Sequence, residues 1–212
     1  MELPPAIAAL HRELGIPADY AARRGLPFHA ESPEGELVRV DHGDVDPPVR
    51  LRPAPATAWR WLEVSAAIDG LKLLPVSGFR SVARQTEIIR RKLAAGRSLE
   101  DILRLIAAPG FSEHHSGRAI DIGCPGHTDL EEDFADTPAF RWLVQHAPQA
   151  GFRLSYPRGN PWGIGYEPWH WYWVGEATGR GPRPGLTCDP QGNAPRPAGV
   201  SRPRTPRTFC PD

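Results

Sequence analysis

The order of periodicities along the chain predicts an α+β fold. Helical spacing of apolar residues clusters ahead of residue 110, whereas β-type runs carrying the most chemically active residues come later, so the two kinds of element are segregated. The 25 prolines and 21 glycines exceed ordinary usage and imply much loop and turn structure rather than a helical bundle. A chain of 212 residues is long enough for one domain with a sizeable core, or one domain with extensions.

Each element has a local reason. Residues Ile7 to Leu14 form a short amphipathic segment, ELVRV at Glu36 to Val40 is strand-like, and a proline-rich link, DPPVRLRPAPA, follows. We read residues 1–56 as an N-terminal extension packed on the main domain. From Thr57 to Leu71, residues Trp61, Leu62, Val64, Ala67, Ile68 and Leu71 recur at helical spacing, with Gly70 as the stop. LLPVSGFR, Leu73 to Arg80, is a short apolar β-type run ending in a Ser-Gly turn signal. Helical periodicity returns from Val82 to Ala95. A further helix fits Leu99 to Ala107, with Ser98 as N-cap and Pro109-Gly110 as breakers. RAIDIG reads as a strand, Thr137 to His146 as a helix capped at Asp136 or Thr137, and Gly151 to Tyr156 as another strand. Then EPWHWYWVG supplies a last strand. From about residue 177 the chain is rich in Pro, Gly and Arg with few large apolar residues, and the expectation is a mobile tail over 177–212.

Bulk properties exclude more than they suggest. With 25 Lys+Arg against 25 Asp+Glu the net charge is zero, which argues against a nucleic-acid or polyanion binder. No run approaches the ~20 apolar residues of a membrane span, and the first residues carry no basic n-region with an apolar h-region, so the expected location is cytoplasmic, with export by a segment absent from this chain as the alternative. Cys124, Cys188 and Cys210 have no CxxC spacing. Cys188 and Cys210 could pair in an oxidising compartment, and Cys124 is expected to pack.

A catalytic zinc needs three protein ligands from His, Asp, Glu or Cys, an open position for water, and a nearby carboxylate as base. Two stretches offer candidates. In FSEHHSGRAIDIG, Phe111 to Gly123, His114 lies in a glycine-containing loop and Asp121 on a strand, where it shares a face with Ala119 while Ile120 and Ile122 point the other way. In EPWHWYWVG, Trp169, Trp171 and Trp173 face one side and His170, Tyr172 and Val174 the other, and Pro168 favours a bend that would swing Glu167 towards His170. Taken singly each has an ordinary explanation: Asp121 as a buried structural carboxylate, the tryptophan strand as core. His11, His29, His42, His127 and His146 read as surface or satisfied histidines.

Together the residues resemble a family. Ser112, His114, Gly117, Ala119 and Asp121 spell S-x-H-x-x-G-x-A-x-D, and Glu167, Trp169 and His170 spell E-x-W-H about fifty residues on. This pattern is similar to the zinc D,D- and L,D-carboxypeptidases and D-Ala-D-Ala dipeptidases of the vancomycin-resistance type, which share their fold with lysostaphin-like peptidases and the hedgehog signalling domain. SGFRSVARQ, with Arg80 and Gln85, resembles the family's substrate-binding segment. The resemblance runs from about Leu73 to Gly175 and implies a small antiparallel sheet bearing one catalytic Zn²⁺, with helices packed on it, in a catalytic domain over 57–176. It implies that His114, Asp121 and His170 ligate the zinc, that Glu167 is the general base, and that Arg80 stabilises the oxyanion and binds substrate. Gln85 and Ser112 are expected to hydrogen-bond the peptide, although Ser112 could equally cap the turn before His114. His115 is left as a residue beside the site, facing solvent or donating an outer hydrogen bond.

The expected activity is hydrolysis of the peptide bond to a terminal D-alanine in peptidoglycan-derived peptides, by a monomer. The resemblance alone supplies the D-alanine. An endopeptidase of the lysin kind and a non-catalytic hedgehog-like module are the alternatives, and Glu167 speaks against the second.

Overall fold

A computed structural model of the chain describes residues 3–42 and 46–175, all within one compact unit, Met1–Gly181. The expected tail over 177–212 and the Cys188–Cys210 pairing lie outside the described residues. The first helices are short and end on glycine: α1 (Pro5–Leu14) closes on Gly15 in the left-handed region, and α2 (Tyr20–Arg24) follows. The strand-like run near residue 38 is realised as only two residues, β1 (Val38–Arg39), paired antiparallel with β2 (Arg50–Leu51).

Helix α3 (Pro53–Ile68) begins inside the proline-rich link rather than at Thr57. Pro53 takes a first-turn position, where its missing N–H is no loss and its fixed φ suits the helix; Arg52 before it is extended. The periodic apolar residues locate the body of this helix, but its start is set by backbone geometry. Strand β3 (Leu74–Ser77) and helix α4 (Val82–Ala94) follow, with the Ser81 hydroxyl accepting from the Arg84 N–H at 3.0 Å as N-cap. In α5 (Leu99–Leu105) Ser98 caps as its sequence position predicts, accepting from Asp101 N–H at 3.1 Å. Strand β4 (Ala119–Gly123), helix α6 (Pro138–His146, capped by Thr137), strand β5 (Phe152–Leu154) and strand β6 (His170–Trp173) complete the described elements.

The main sheet is antiparallel throughout, in the order β3-β4-β6-β5. Its register places Ile120 opposite Trp171 and Asp121 opposite His170. Because alternate residues on a strand point to opposite faces, the two pairs face opposite ways. Ile120, Ile122 and Trp171 join Trp59 and Leu62 of α3, Trp142 and Leu143 of α6, and Phe152 in one core, where Cys124 also packs. Asp121 and His170 face the other way. There a second core, with Tyr20, Ile89, Ile102, Phe111 and Tyr156, meets the sheet through the Tyr156 ring, 4.8 Å from that of His170. On the edge strand β3, a register shift between Pro75 and Ser77 sets Ser77 opposite Asp121. Among the described residues no helix is long and apolar enough to cross a membrane.

The α3 interface should dominate stability. Leu62 is fully buried, so Leu62→Ala is expected to cost about 2–5 kcal/mol in urea unfolding, and a loss below about 1 kcal/mol would show that α3 is not packed as described.

Candidate active site

The loop that carries His114 is shaped by glycine. Residues Glu113–Ser116 make a single 3₁₀ turn that closes on Gly117 at φ 64°. A side chain there would be strained in conformation and would also meet Leu37 and Arg52 at 2.9 and 3.0 Å. This turn buries His114, and the ring's Nδ1–H donates to the Gly78 carbonyl at 2.6 Å. Gly78 itself packs closely on β2, where a Cβ on it would lie 2.5 Å from the Arg50 carbonyl oxygen.

Three donors converge. His114, Asp121 and His170 are each less than 5% exposed, and their ligand atoms all lie within 4.8 Å of one another. Because a carbonyl can only accept, the bond to Gly78 fixes the proton of His114 on Nδ1 and turns its bare Nε2 lone pair towards the Asp121 carboxylate, 3.3 Å away. Burial lowers the His114 pKa, which keeps that ring neutral. Two acceptors facing each other at this distance call for a cation between them, so the residues present fit a metal ion. The donor set, two imidazoles and a carboxylate, is one that suits zinc. Burial alone would raise the Asp121 carboxyl, but the neighbouring imidazoles outweigh it and hold that carboxyl well below the usual range, with His170 bonded to it at 3.0 Å. For His170, burial disfavours the charged ring, but hydrogen bonds to Asp121 at 3.0 Å and Glu113 at 2.9 Å outweigh it and raise the pKa to about 10 in the metal-free protein.

Around this cluster the structure places the remaining expected residues unevenly. Glu167 enters through a turn at Pro168 in which the His170 N–H bonds the Glu167 carbonyl at 3.1 Å, and its carboxylate lies 3.8 Å from His170 Nδ1. Burial pushes Glu167 up to about 7, against the pull of the His170 charge. Arg80 stands 3.9 Å from Asp121 and donates to Gln85 Oε1 at 3.1 Å and Ser77 Oγ at 3.3 Å. Gln85 is fully buried with both amide ends committed, the second to the Ala107 carbonyl at 2.6 Å, so it stands behind Arg80. Ser112 makes no side-chain cap to the turn and lines the cleft. His115 does not face solvent: it is fully buried, donates from Nδ1 to the Arg80 carbonyl at 2.6 Å and accepts from the Gly110 N–H at 3.2 Å, which ties the Arg80 segment to the His114 turn.

The cleft over these groups holds about 300 Å³ and is also lined by Lys92, Leu130, Tyr156 and Trp169. A larger cavity of about 830 Å³, beside α3 and β3, shares none of the clustered donors, and the chemistry locates the site in the smaller one. Sequence reasoning missed Glu113, Tyr156 and Leu130. Leu130 takes φ 59°, rare for a branched side chain. Glu113 sits within the quoted motif, but nothing in its local pattern separates it from a solvated loop glutamate.

The model of a known family, VanY, D-alanyl-D-alanine carboxypeptidase, matches residues 48–176. The bifunctional D-Ala-D-Ala dipeptidase and carboxypeptidase VanXYC of Enterococcus gallinarum is 32% identical over 155 residues, covering 70% of this chain and 79% of its own. Two further curated relatives, from Bacillus subtilis and Enterococcus faecalis, are 32% and 31% identical over 59% and 52% of this chain, which spans only 47% and 43% of their length. Among solved structures, the LdcB LD-carboxypeptidase superposes with a TM-score of 0.62 at 30% identity, over 71% of this chain and 72% of that one. A vancomycin-resistance D,D-pentapeptidase, VanY, solved with Zn(II), gives 0.52 at 27% identity over 66% and 79%. Fold, motif spacing and donor cluster agree with these matches, and the chain belongs to the VanY family of D-alanyl-D-alanine carboxypeptidases.

Proposed function

We propose that this chain is a zinc-dependent carboxypeptidase that hydrolyses the bond to a C-terminal D-alanine in peptidoglycan-derived peptides, of D,D- or L,D-configuration. The observation that carries the reading is the buried His114, Asp121 and His170 cluster with the Glu167 carboxylate beside it. The substrate class is supported by the names of the relatives.

His114, Asp121 and His170 would hold the metal, with His114 offering Nε2 and His170 offering Nδ1. A zinc ion bound there supplies Lewis-acid polarisation of a carbonyl and a more acidic water. Glu167 takes the proton of the attacking water and returns it to the leaving amine, a role that suits a carboxyl inside the cleft within reach of the cluster. Arg80, held by Gln85 and Ser77, keeps its guanidinium at the edge of the cluster, where it counters the charge that develops on the carbonyl oxygen. Gln85 acts on the peptide through Arg80, and Ser112 offers a hydroxyl from the cleft wall. A base carboxylate at this position would have no purpose in a purely structural zinc module.

Two outcomes check this. Glu167→Ala should keep about one zinc per chain by elemental analysis while hydrolysis of a D-Ala-terminated peptide falls by about 10²–10⁴-fold, and retained turnover would remove Glu167 from the mechanism. On a panel of peptides ending in D-Ala-D-Ala, L-Lys-D-Ala and diaminopimelate-D-Ala, amidating the terminal carboxylate should lower kcat/KM by about ten- to a hundred-fold, the worth of a charged contact. Equal cleavage of amidated peptides, or of an internal-bond control, would replace the carboxypeptidase reading with an endopeptidase.

A further inference from the structure

Glu113 has no part in the mechanism above, yet it is one of the more costly residues in the fold: a glutamate only 5% exposed, placed in a one-turn loop. Its two carboxylate oxygens are divided. Oε2 faces His170 Nε2 at 2.9 Å, and Oε1 accepts from the Arg153 guanidinium at 3.1 Å, on β5. A structural ion pair with the half-exposed Arg153 alone would not require the other oxygen to be buried against a histidine.

We propose that Glu113 is a positioning residue for the metal site, fixing His170 in the tautomer and rotation that present Nδ1 to the metal. The inference rests on the zinc reading above. An ionised carboxylate only accepts, so the Glu113 contact holds a hydrogen on His170 Nε2. That leaves Nδ1, which faces Asp121 at 3.0 Å and Glu167 at 3.8 Å, as the nitrogen available for coordination. The negative charge behind the ring also raises its basicity as a ligand, and the Arg153 guanidinium orients that carboxylate from its other oxygen. The two histidines are therefore held by different means: His114 by the neutral carbonyl of Gly78, His170 by a charged side chain. The turn closing on Gly117 thus places two functional groups next to each other, one ligand and the support of the other.

The test compares the zinc dissociation constants of the wild type, Glu113→Gln and Glu113→Ala by competition with a chromogenic chelator, together with the thermal midpoints of the metal-free proteins. Glu113→Ala should weaken zinc by about ten- to a hundred-fold, and Glu113→Gln by less, since its amide oxygen still accepts but carries no charge. A merely structural Glu113 would lower the metal-free midpoint and leave zinc affinity within about twofold of wild type in both variants, which would overturn the proposal. Should the alanine variant fail to fold, the glutamine variant decides: weakening of about threefold or more supports the role and less overturns it. A wild-type chain that binds no zinc would instead overturn the site reading itself, so the two failures are distinguishable.

Discussion

The cross-strand pair Asp121–His170 is the constraint on which the rest of the molecule turns. Both side chains are buried, and each is tolerable there because the other compensates its charge, with Glu113 on the second nitrogen of His170 and Arg80 beside Asp121. The register of β4 on β6 that makes them partners is set on the opposite face, where Ile120 lies against Trp171 in the core under α3 and α6. A slip of one residue would exchange the faces, exposing isoleucine to the cleft and driving the carboxylate into the apolar core. The hydrophobic pattern thus fixes the position of the polar site without touching it.

The loops obey the same geometry. Gly117 closes the His114 turn where a side chain would strike Leu37 and Arg52, and Gly78, whose carbonyl accepts from His114, packs on Arg50 where a side chain would clash. Glu167 is returned to the metal side by the turn at Pro168. His115 then joins the turn to Arg80, so the segment bearing Arg80 and the segment bearing His114 are held in one hydrogen-bonded unit.

Much of this was legible in the chain. Alternation around Ile120 and Ile122 located β4 and its two faces, Ser98 and Thr137 marked helix starts, and the two motifs named the donors that the fold brings together. What escaped has physical causes. The start of α3 lies at prolines that read as a linker but are accepted in a first helical turn. A strand as short as Arg50–Leu51, inside that same link, carries too few residues to show a period. Glu113 owes its place to His170, 57 residues away in the chain, and no local pattern reports such a partner.

Family membership, the fold and the donor cluster converge on a single buried zinc centre assembled on an antiparallel sheet. That centre is the claim on which activity, substrate class and the role of Glu113 all depend. Anomalous diffraction at the zinc edge from crystals of the zinc-loaded protein tests it most directly. One peak is expected, about 2.0–2.2 Å from His114 Nε2, an Asp121 oxygen and His170 Nδ1. A peak elsewhere, or one bonded to His115, Glu113 or Cys124 in place of any of these three, would contradict it.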